Sequence, residues 1–581
     1  MKRRARMSMF SAVSAAALAS AGCSRSVHVE PISTEPREMS MEQQARHVVN
    51  RLTFGARPGD YQRVLALGAD RWIAEQLLPD KIPEDTALTA MLSRFETQTK
   101  PAAQILVDNP PPEELDRQLR EQRRKMGDTG VFMMSADDSA RRKQSADRAN
   151  QLGAQLLAAK VARAQATNRQ LQEMMTDFWE NHFSTFIGKS PSRYAIVAYE
   201  NDVIRPNALG KFRDLLGAVA KSPMMLFYLD NWQSAADNEH LELQQWNDLA
   251  KARTRADSEK IRMRRRRTGL NENYGRELLE LHTLGVDGGY TQRDVIEVAR
   301  ALTGWTIQDP QKGGGFIFRP EWHDAMPKVV LGHRLKAGRG MEDGEEVLDI
   351  VARSEATARF IATKLVRRFV SDSPPPALVE RAARTFRDSD GDIRATLRTI
   401  IGSSEFFARG DFRAKVKSPF ELVVSAARAL DAPIDTTPRL AQQIARLGQP
   451  IYGKLTPNGY PDAGDAWVNA GSVLNRINFG LAIATGRVAG IKLASWPPAA
   501  ALNGAPIAIQ VDSVVAEILS GEASPDTREI LIAGENPLLR RAPADSMAMA
   551  GMAGSQRPPA PRTALANLVG LALGAPEFQR R

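Results

Sequence analysis

The chain has 581 residues, which is too long for one hydrophobic core, so its length predicts two or three domains. Hydrophobic residues make up 43% and charged residues 25%, a composition typical of globular proteins. The net charge of +10 lies largely in the N-terminal residues and in the run 251–267. No zinc-binding or helix-turn-helix spacing accompanies that charge, so the sequence does not indicate nucleic-acid binding.

The N-terminus has the pattern of an export signal. A basic segment, residues 2–6, precedes a short apolar stretch, and the small residues that follow lead to Cys23, the only cysteine. We predict a signal peptide over residues 1–22. Ala19 and Ala21 fit ordinary cleavage, whereas Ala21-Gly22-Cys23 resembles a lipoprotein box, although Ser20 replaces its usual aliphatic residue. The lone cysteine favours lipidation, so a lipid anchor at Cys23 is the one membrane attachment that we expect.

The remaining sequence predicts a mainly α fold, a multi-helix array or bundle with one small β-hairpin. After a tether over residues 23–40, a helical region spans 41–231 and contains a mobile insertion at 101–149. A charged insertion covers 232–267. A central helical region, 268–430, holds the predicted hairpin at 313–333. A third helical region covers 431–542, and a flexible Met/Pro-rich segment at 543–562 precedes a terminal helix within 563–581.

The most informative stretch is residues 269–305, where two helical patterns flank a Gly-rich turn. The first helix carries Arg276, Glu277, Glu280 and His282 among leucines. At about 100° per residue Glu277 and Glu280 share one face, and His282 points elsewhere. Buried ionisable groups must be paired or functional. These four residues are therefore candidate catalytic groups, and a structural ion-pair network is the alternative.

Two other segments provide candidate metal ligands. His182 lies in Trp179-Glu-Asn-His182-Phe183, and His323 precedes Asp324, a carboxylate that could orient it. A divalent metal would need ligands from several segments, because the spacing within the helix at 273–284 fits no single-helix motif. The alternatives are a core histidine at 182 and an ordinary turn at 323–324.

Several motifs resemble one bacterial family of exported proteins, known only as domain of unknown function number 1800. They are Arg51-Leu-Thr-Phe-Gly-Ala-Arg-Pro58, Trp179-Glu-Asn-His182-Phe183, residues 207–216, 223–231 and 271–305, His323-Asp324, Lys417-Ser-Pro-Phe-Glu-Leu422, Gly459-Tyr-Pro-Asp462 and Trp467-Val-Asn469. The resemblance covers roughly residues 46–578. It implies a helix-rich secreted or envelope protein, often encoded beside a second exported protein, and it implies no reaction.

Two functions remain open from the sequence. In the first, an exported envelope protein, periplasmic or anchored in the outer membrane, performs metal-assisted or acid/base hydrolysis. Its polar pocket surrounds the central helix, the helix predicted at 273–284. Glu277 or Glu280 would be the base or a ligand, and Arg276 would hold an anion. In the second, the protein is a non-enzymatic partner or scaffold for the co-exported protein, and the same residues hold its helices together.

Overall fold

Helices form most of the structure, a computed structural model that describes residues 35–127, 135–189, 192–236, 269–310, 314–534 and 564–581. The predicted signal peptide, Cys23, most of the charged insertion and the Met/Pro-rich segment lie outside the described residues. The mainly α fold class is confirmed. No helix in the described part of the chain combines the length and the apolar character needed to cross a bilayer.

Many of the helices follow one another with short connections. Before the charged insertion they are Met41–Leu52, Asp60–Leu67, Ala69–Gln76, Thr86–Leu92, Glu96–Thr99, Ala102–Asp108, Pro112–Lys125, Ala136–Ala166, Gln170–His182, Ser192–Ala198, Arg205–Asn207, Phe212–Ala220 and Pro223–Tyr228. After it they are Glu272–Glu277, Gln292–Ala301, Glu342–Ala352, Glu355–Phe369, Pro376–Asp388, Ile393–Ile401, Pro419–Ala429, Arg439–Arg446, Ala470–Ala484, Ala499–Leu502, Ile507–Glu517, Pro525–Ala533, Ala564–Gly574 and Pro576–Gln579. Two π-helical turns, Tyr199–Ile204 and Leu278–Thr283, continue helices.

Local sequence explains where many helices begin. Ser40, Thr291, Ser418 and Asn469 each cap a helix through a reciprocal capping box with the residue three positions later. Each cap satisfies backbone N–H groups that the first turn leaves without a partner. The described part of 101–149 is likewise helical, because it contains two complete helices and the first half of Ala136–Ala166.

The structure contains two small antiparallel pairs where the sequence predicts one hairpin. Strand Phe316–Phe318 pairs with Trp305–Ile307, and strand Lys328–Val330 pairs with His333–Leu335. The strands at 316–318 and 328–330, which a single hairpin over 313–333 would pair with each other, therefore have different partners. The cause is local: Leu331 and Gly332 both adopt positive φ, 49° and 82°, which suits a two-residue hairpin turn directly after Val330.

One cluster of buried apolar side chains extends along the sequence from Met39 to Phe578. The long helix Ala136–Ala166 enters the interior from Ala149 onward, and Leu152, Leu156 and Val161 are buried in its second half. Lys160 is also buried in that half and is 4% exposed. A buried lysine needs a counter-charge, and its partner identifies the site described below.

The central helix packs closely on helix Gln292–Ala301 at Gly275. A Cβ added there would lie 2.8 Å from the carbonyl oxygen of Val295 and 3.1 Å from the amide nitrogen of Ala299. We expect Gly275→Ala to lower the free energy of unfolding by about 1–3 kcal/mol, since overpacking outweighs the gain in helix propensity. Gly471→Ala is the matched control, because its nearest contact is 3.5 Å. Urea denaturation of both variants measures the difference, and equal values would contradict the prediction.

Candidate functional site

The central helix carries two of its predicted catalytic residues on a partly exposed face. Glu277 is half-buried, and its pKa is raised by burial and by the neighbouring Glu280, against the opposing effect of Arg276. The Glu280 carboxylate accepts a hydrogen bond of 3.0 Å from the Tyr290 hydroxyl. Arg276 donates to Gln292 at 2.6 Å and lies 3.8 Å from Glu272. Neither Glu277 nor Glu280 is therefore among the closest partners of Arg276.

The helix does not keep its regular geometry as far as His282. The π-helical turn Leu278–Thr283 has a backbone hydrogen bond from Leu284 N to Leu279 O, five residues apart. The assumption of 100° per residue therefore fails for His282, whose direction the sequence arithmetic cannot give. The Thr283 hydroxyl donates to the Leu278 carbonyl at 2.6 Å and satisfies an acceptor within the widened turn.

The structure brings His282 and His182 together. His182 Nε2 donates to the backbone carbonyl of His282 at 3.0 Å, and the two ring centres are 6.4 Å apart. Burial lowers the pKa of His282 to about 3 and the pKa of His182 well below its usual value. Both rings are therefore neutral at physiological pH. Phe183 contacts both rings, at 4.5 and 5.1 Å between centres.

His323 and Asp324 belong to a different polar cluster. His323 Nδ1 donates to the Thr303 carbonyl at 2.9 Å, and its Nε2 lies 3.3 Å from Asp343. Asp324 accepts from Arg300 Nε at 2.7 Å. No hydrogen bond or ring contact between described residues joins this cluster to His182. Within the described chain, no group of three or more His, Cys, Asp or Glu side chains is arranged to hold a metal ion.

The structure also contains a polar cleft that the sequence did not predict. The cleft is partly open to solvent, and its walls come from residues 177–185, 415–421 and 449–467, with Lys160, Arg368 and Arg581 at their junctions. Four of the motifs that carry the family resemblance meet here: those at 179–183, 417–422, 459–462 and 467–469. The predicted central helix does not line this cleft.

Glu180 is the most perturbed acid in the cleft. Its carboxylate forms an ion pair with Lys160, and the Tyr452 hydroxyl lies 3.4 Å from it. Burial raises the pKa of Glu180 to about 8, with Glu200 and Asp177 adding to the rise and Lys160 opposing it. Glu180 and Asp177 in turn raise the pKa of Lys160 against burial, so Glu180 and Lys160 titrate as a pair in which burial favours the protonated carboxyl. A buried lysine within an apolar helix segment, Lys160, is the sequence signal that could have pointed to it.

A buried network lies behind Glu180, and it favours the ionised form of its carboxylates where the surroundings of Glu180 favour the protonated form. Arg205 forms ion pairs with both Glu173 and Glu200, the latter at 2.6 Å, and the Tyr452 hydroxyl donates to Glu200. Burial alone would raise the pKa of Glu200, but Arg205 and Lys160 outweigh burial and lower that pKa to about 2. Tyr452 thus contacts one ionised carboxylate and one that can accept a proton.

The opposite wall of the cleft is basic and centres on Glu421. This carboxylate lies 2.9 Å from Arg368 and 3.1 Å from Arg581, and its second oxygen accepts from the Ser418 N–H at 2.8 Å. Burial opposes its ionisation, but Arg581 and Arg368 prevail and lower the pKa of Glu421 to about 2. Lys415, paired with Asp372, has its pKa lowered to about 8 by burial and by Arg581.

The loop 449–467 is fixed to helix Gln170–His182 through Asn181. The Asn181 side chain accepts from Tyr460 N at 2.7 Å and donates to the Tyr460 carbonyl at 2.9 Å. Gly459 makes this approach feasible, because it has φ +71° and a Cβ there would lie 2.2 Å from the Asn181 carbonyl oxygen. Lys364 holds Asp462 at 2.7 Å on the same loop.

A family model described as "Protein of unknown function (DUF1800)" matches residues 47–580, nearly the whole chain. No curated protein matches the chain, and no solved structure matches it.

Proposed function

Because the chain belongs to the DUF1800 family of proteins of unknown function, we propose its activity from the cleft alone: acid/base hydrolysis by an exported bacterial envelope protein. Export is supported by the N-terminal pattern of basic, apolar and small residues that ends at Cys23. Hydrolysis is supported by a concave polar site in which several titratable groups converge.

The observation that carries the proposal is the position and protonation of Glu180. A general base removes a proton from water, and the protonated form then returns a proton to the leaving group. A carboxyl with a pKa of about 8 can perform both steps near neutral pH. Glu421, with a pKa of about 2, stays ionised in the same cleft. Two carboxyls whose pKa values are driven apart are typical of a catalytic acid/base assignment.

In this proposal Glu180 takes the role that was predicted from the sequence for Glu277 or Glu280. Glu277 also has a raised pKa, but it lies outside the cleft. Glu180, by contrast, lines the cleft beside Lys160, whose ammonium would stabilise negative charge that develops on a substrate. The pair of glutamates therefore provides a matched test of where the base lies.

We expect Glu180→Gln to lower kcat/KM by a factor of about 10² to 10⁴, the usual contribution of a general acid or base. The measurement is a screen of chromogenic carboxyl, phosphate, sulfate and glycosyl esters with the mature protein, followed by kinetics on whichever substrate is hydrolysed. Glu277→Gln is the control and should retain activity. A Glu180→Gln variant that folds, by circular dichroism, and keeps wild-type kinetics would remove Glu180 from the mechanism.

Metal-assisted hydrolysis is the second form of this proposal, with His182 and His282 as the candidate ligands. His182 Nδ1 and His282 Nε2 are buried and have no hydrogen-bond partner among the described residues. Elemental analysis of the purified protein and of His182→Ala separates the two forms. Metal lost with His182 supports metal assistance, whereas full activity after chelation supports acid/base catalysis alone.

The rival function is a non-enzymatic partner or scaffold for a co-exported protein. It is favoured by the extensive pairing of charges in the cleft, including Lys160 with Asp177 at 3.5 Å and Arg368 with Glu421 at 2.9 Å. Such pairs also occur as purely structural contacts. Co-purification of the protein encoded beside this one, unchanged by Glu180→Gln, together with no hydrolysis in the screen, would favour the scaffold.

A further inference from the structure

The cleft carries more positive charge than its own carboxylates can balance. Its basic side chains are Lys160, Arg368, Lys415, Lys454 and Arg581, and four acidic side chains accompany them. One of the four is Glu180, the acid that burial favours in its protonated form. Even when Asp372, which pairs with Lys415 from outside the lining, is included, the remaining carboxylates are fewer than the cations. The excess is held in a partly buried space where water compensates charge poorly.

The excess is most evident around Glu421. Two guanidinium groups, of Arg368 and Arg581, share this one carboxylate. Each arginine keeps a buried Nε–H, and Glu421 keeps a buried Oε1, without a hydrogen-bond partner among the described residues, so the donors outnumber the acceptor. A buried donor without a partner costs about 1–3 kcal/mol. Planar guanidinium groups are the preferred partners of carboxylate, phosphate and sulfate oxygens, so these free donors fit an oxyanion.

Lys454 extends the positive wall into loop 449–467. It forms no ion pair with any described residue, and its Nζ lies 5.7 Å from the centre of the Tyr460 ring. Tyr460 in turn contacts Trp467, with ring centres 5.9 Å apart. All three side chains line the cleft. A cation beside an aromatic pair can hold an anionic group while the rings cover the apolar part of the same molecule.

We propose that the cleft binds an oxyanion of the substrate, a carboxylate, sulfate or phosphate, between Lys454 and the arginine pair Arg368 and Arg581. The proposal rests on the proposed function because it names the substrate class of the same site. The anion would neutralise the excess charge, supply acceptors to the free guanidinium donors and fix the scissile bond relative to Glu180. A neutral substrate would leave those donors without partners.

Binding of inorganic sulfate, inorganic phosphate and acetate to the full-length protein tests the proposal, by calorimetry at an ionic strength held constant with NaCl. We expect saturable binding of at least one of these ions, weakened about threefold in Lys454→Gln and tenfold or more in Lys454→Glu. Lys336 is an exposed lysine outside the cleft, so Lys336→Gln and Lys336→Glu are the matched controls and should bind as the wild type does. The ion that saturates identifies the oxyanion.

The prediction of anion binding and the prediction of hydrolysis can be contradicted independently of each other. No saturable binding of any of the three ions, or equal weakening in the Lys454 and Lys336 series, overturns the proposed anion site even if hydrolysis is found. Binding that depends on Lys454 and persists in Glu180→Gln supports the anion site. The same binding result supports the anion site even if the screen finds no hydrolysis. In that case the proposed hydrolysis is contradicted and the anion site is not.

Discussion

Replacing Arg205 by methionine is expected to lower the free energy of unfolding by about 3–5 kcal/mol, the largest single effect among these predictions. Arg205 is the ion-pair partner of both Glu173 and Glu200, and both carboxylates are buried, at 2% exposure each. Without it, two negative charges remain in an apolar environment next to Glu180. Urea denaturation at pH 7 gives the value directly.

The control for Arg205 is an arginine whose ion pair is exposed. Arg353 contacts Asp390 at 3.1 Å, and both side chains are more than half exposed. Arg353→Met should change the free energy of unfolding by less than about 1 kcal/mol, because surface ion pairs contribute little. Adding Glu173→Gln and Glu200→Gln to Arg205→Met should restore part of the loss. Equal effects of the Arg205 and Arg353 variants would contradict the proposed role of the buried network.

The Arg205 effect should also depend on pH. The pKa of Glu200 is lowered from 4.5 to about 2. Its ionised form therefore contributes stability that is fully present above pH 4.5 and is lost as the pH falls towards 2. In Arg205→Met this contribution is reduced. The difference in stability between wild type and variant should accordingly narrow between pH 4.5 and 2.

Replacing Lys417 by methionine is expected to stabilise the protein, by about 2–4 kcal/mol at pH 6. Lys417 is buried, and burial lowers its pKa from 10.5 to about 7, with Glu421 opposing the change. A shift of that size corresponds to about 5 kcal/mol at about 1.4 kcal/mol per pH unit. The hydrogen bond to Ser425 at 3.2 Å and the contact with the Phe578 ring offset part of it.

The sign and pH range follow from the lowered pKa of Lys417. The folded protein releases this proton more readily than the unfolded chain does, so the contribution of Lys417 to wild-type stability rises as the pH increases from 7 to 10.5. Below about pH 7 both states hold the proton, and the contribution stays at its lowest value. The advantage of Lys417→Met should be greatest below pH 7 and should vanish near pH 10.5. Chemical denaturation at pH 6, 8 and 10 measures it. An advantage that does not change with pH would contradict the assignment to Lys417.

Lys328 provides the matched contrast. It is also fully buried, but its ammonium lies 2.7 Å from Asp343. Lys328→Met leaves that carboxylate with one partner fewer and should destabilise the protein at pH 6. Opposite signs for the two lysine variants would show that the counter-charge, rather than burial alone, decides the stability effect. Two variants of the same sign would contradict this explanation.

Much of the secondary structure could be predicted from the sequence because its causes are local. Helical periodicity, together with caps such as Ser40, Thr291 and Ser418, depends on residues within one or two turns. The mainly α class and the family both follow from that local information. The strand pairing could not be predicted in the same way. Leu331-Gly332 closes a hairpin directly after Val330, so Phe316–Phe318 pairs with Trp305–Ile307 instead.

The sequence by itself determined the helices, the family and the residues with reactive side chains, but only the tertiary structure decided which of them share a site. His182 meets His282 across 100 positions of sequence, and His323 joins Asp343 instead. Glu180, Glu421 and Tyr460 line one cleft although more than 200 residues separate the first from the other two. Spacing along a helix predicts side-chain directions only within that helix. Burial and counter-charge set the pKa of Glu180, and both depend on neighbours that only folding brings together.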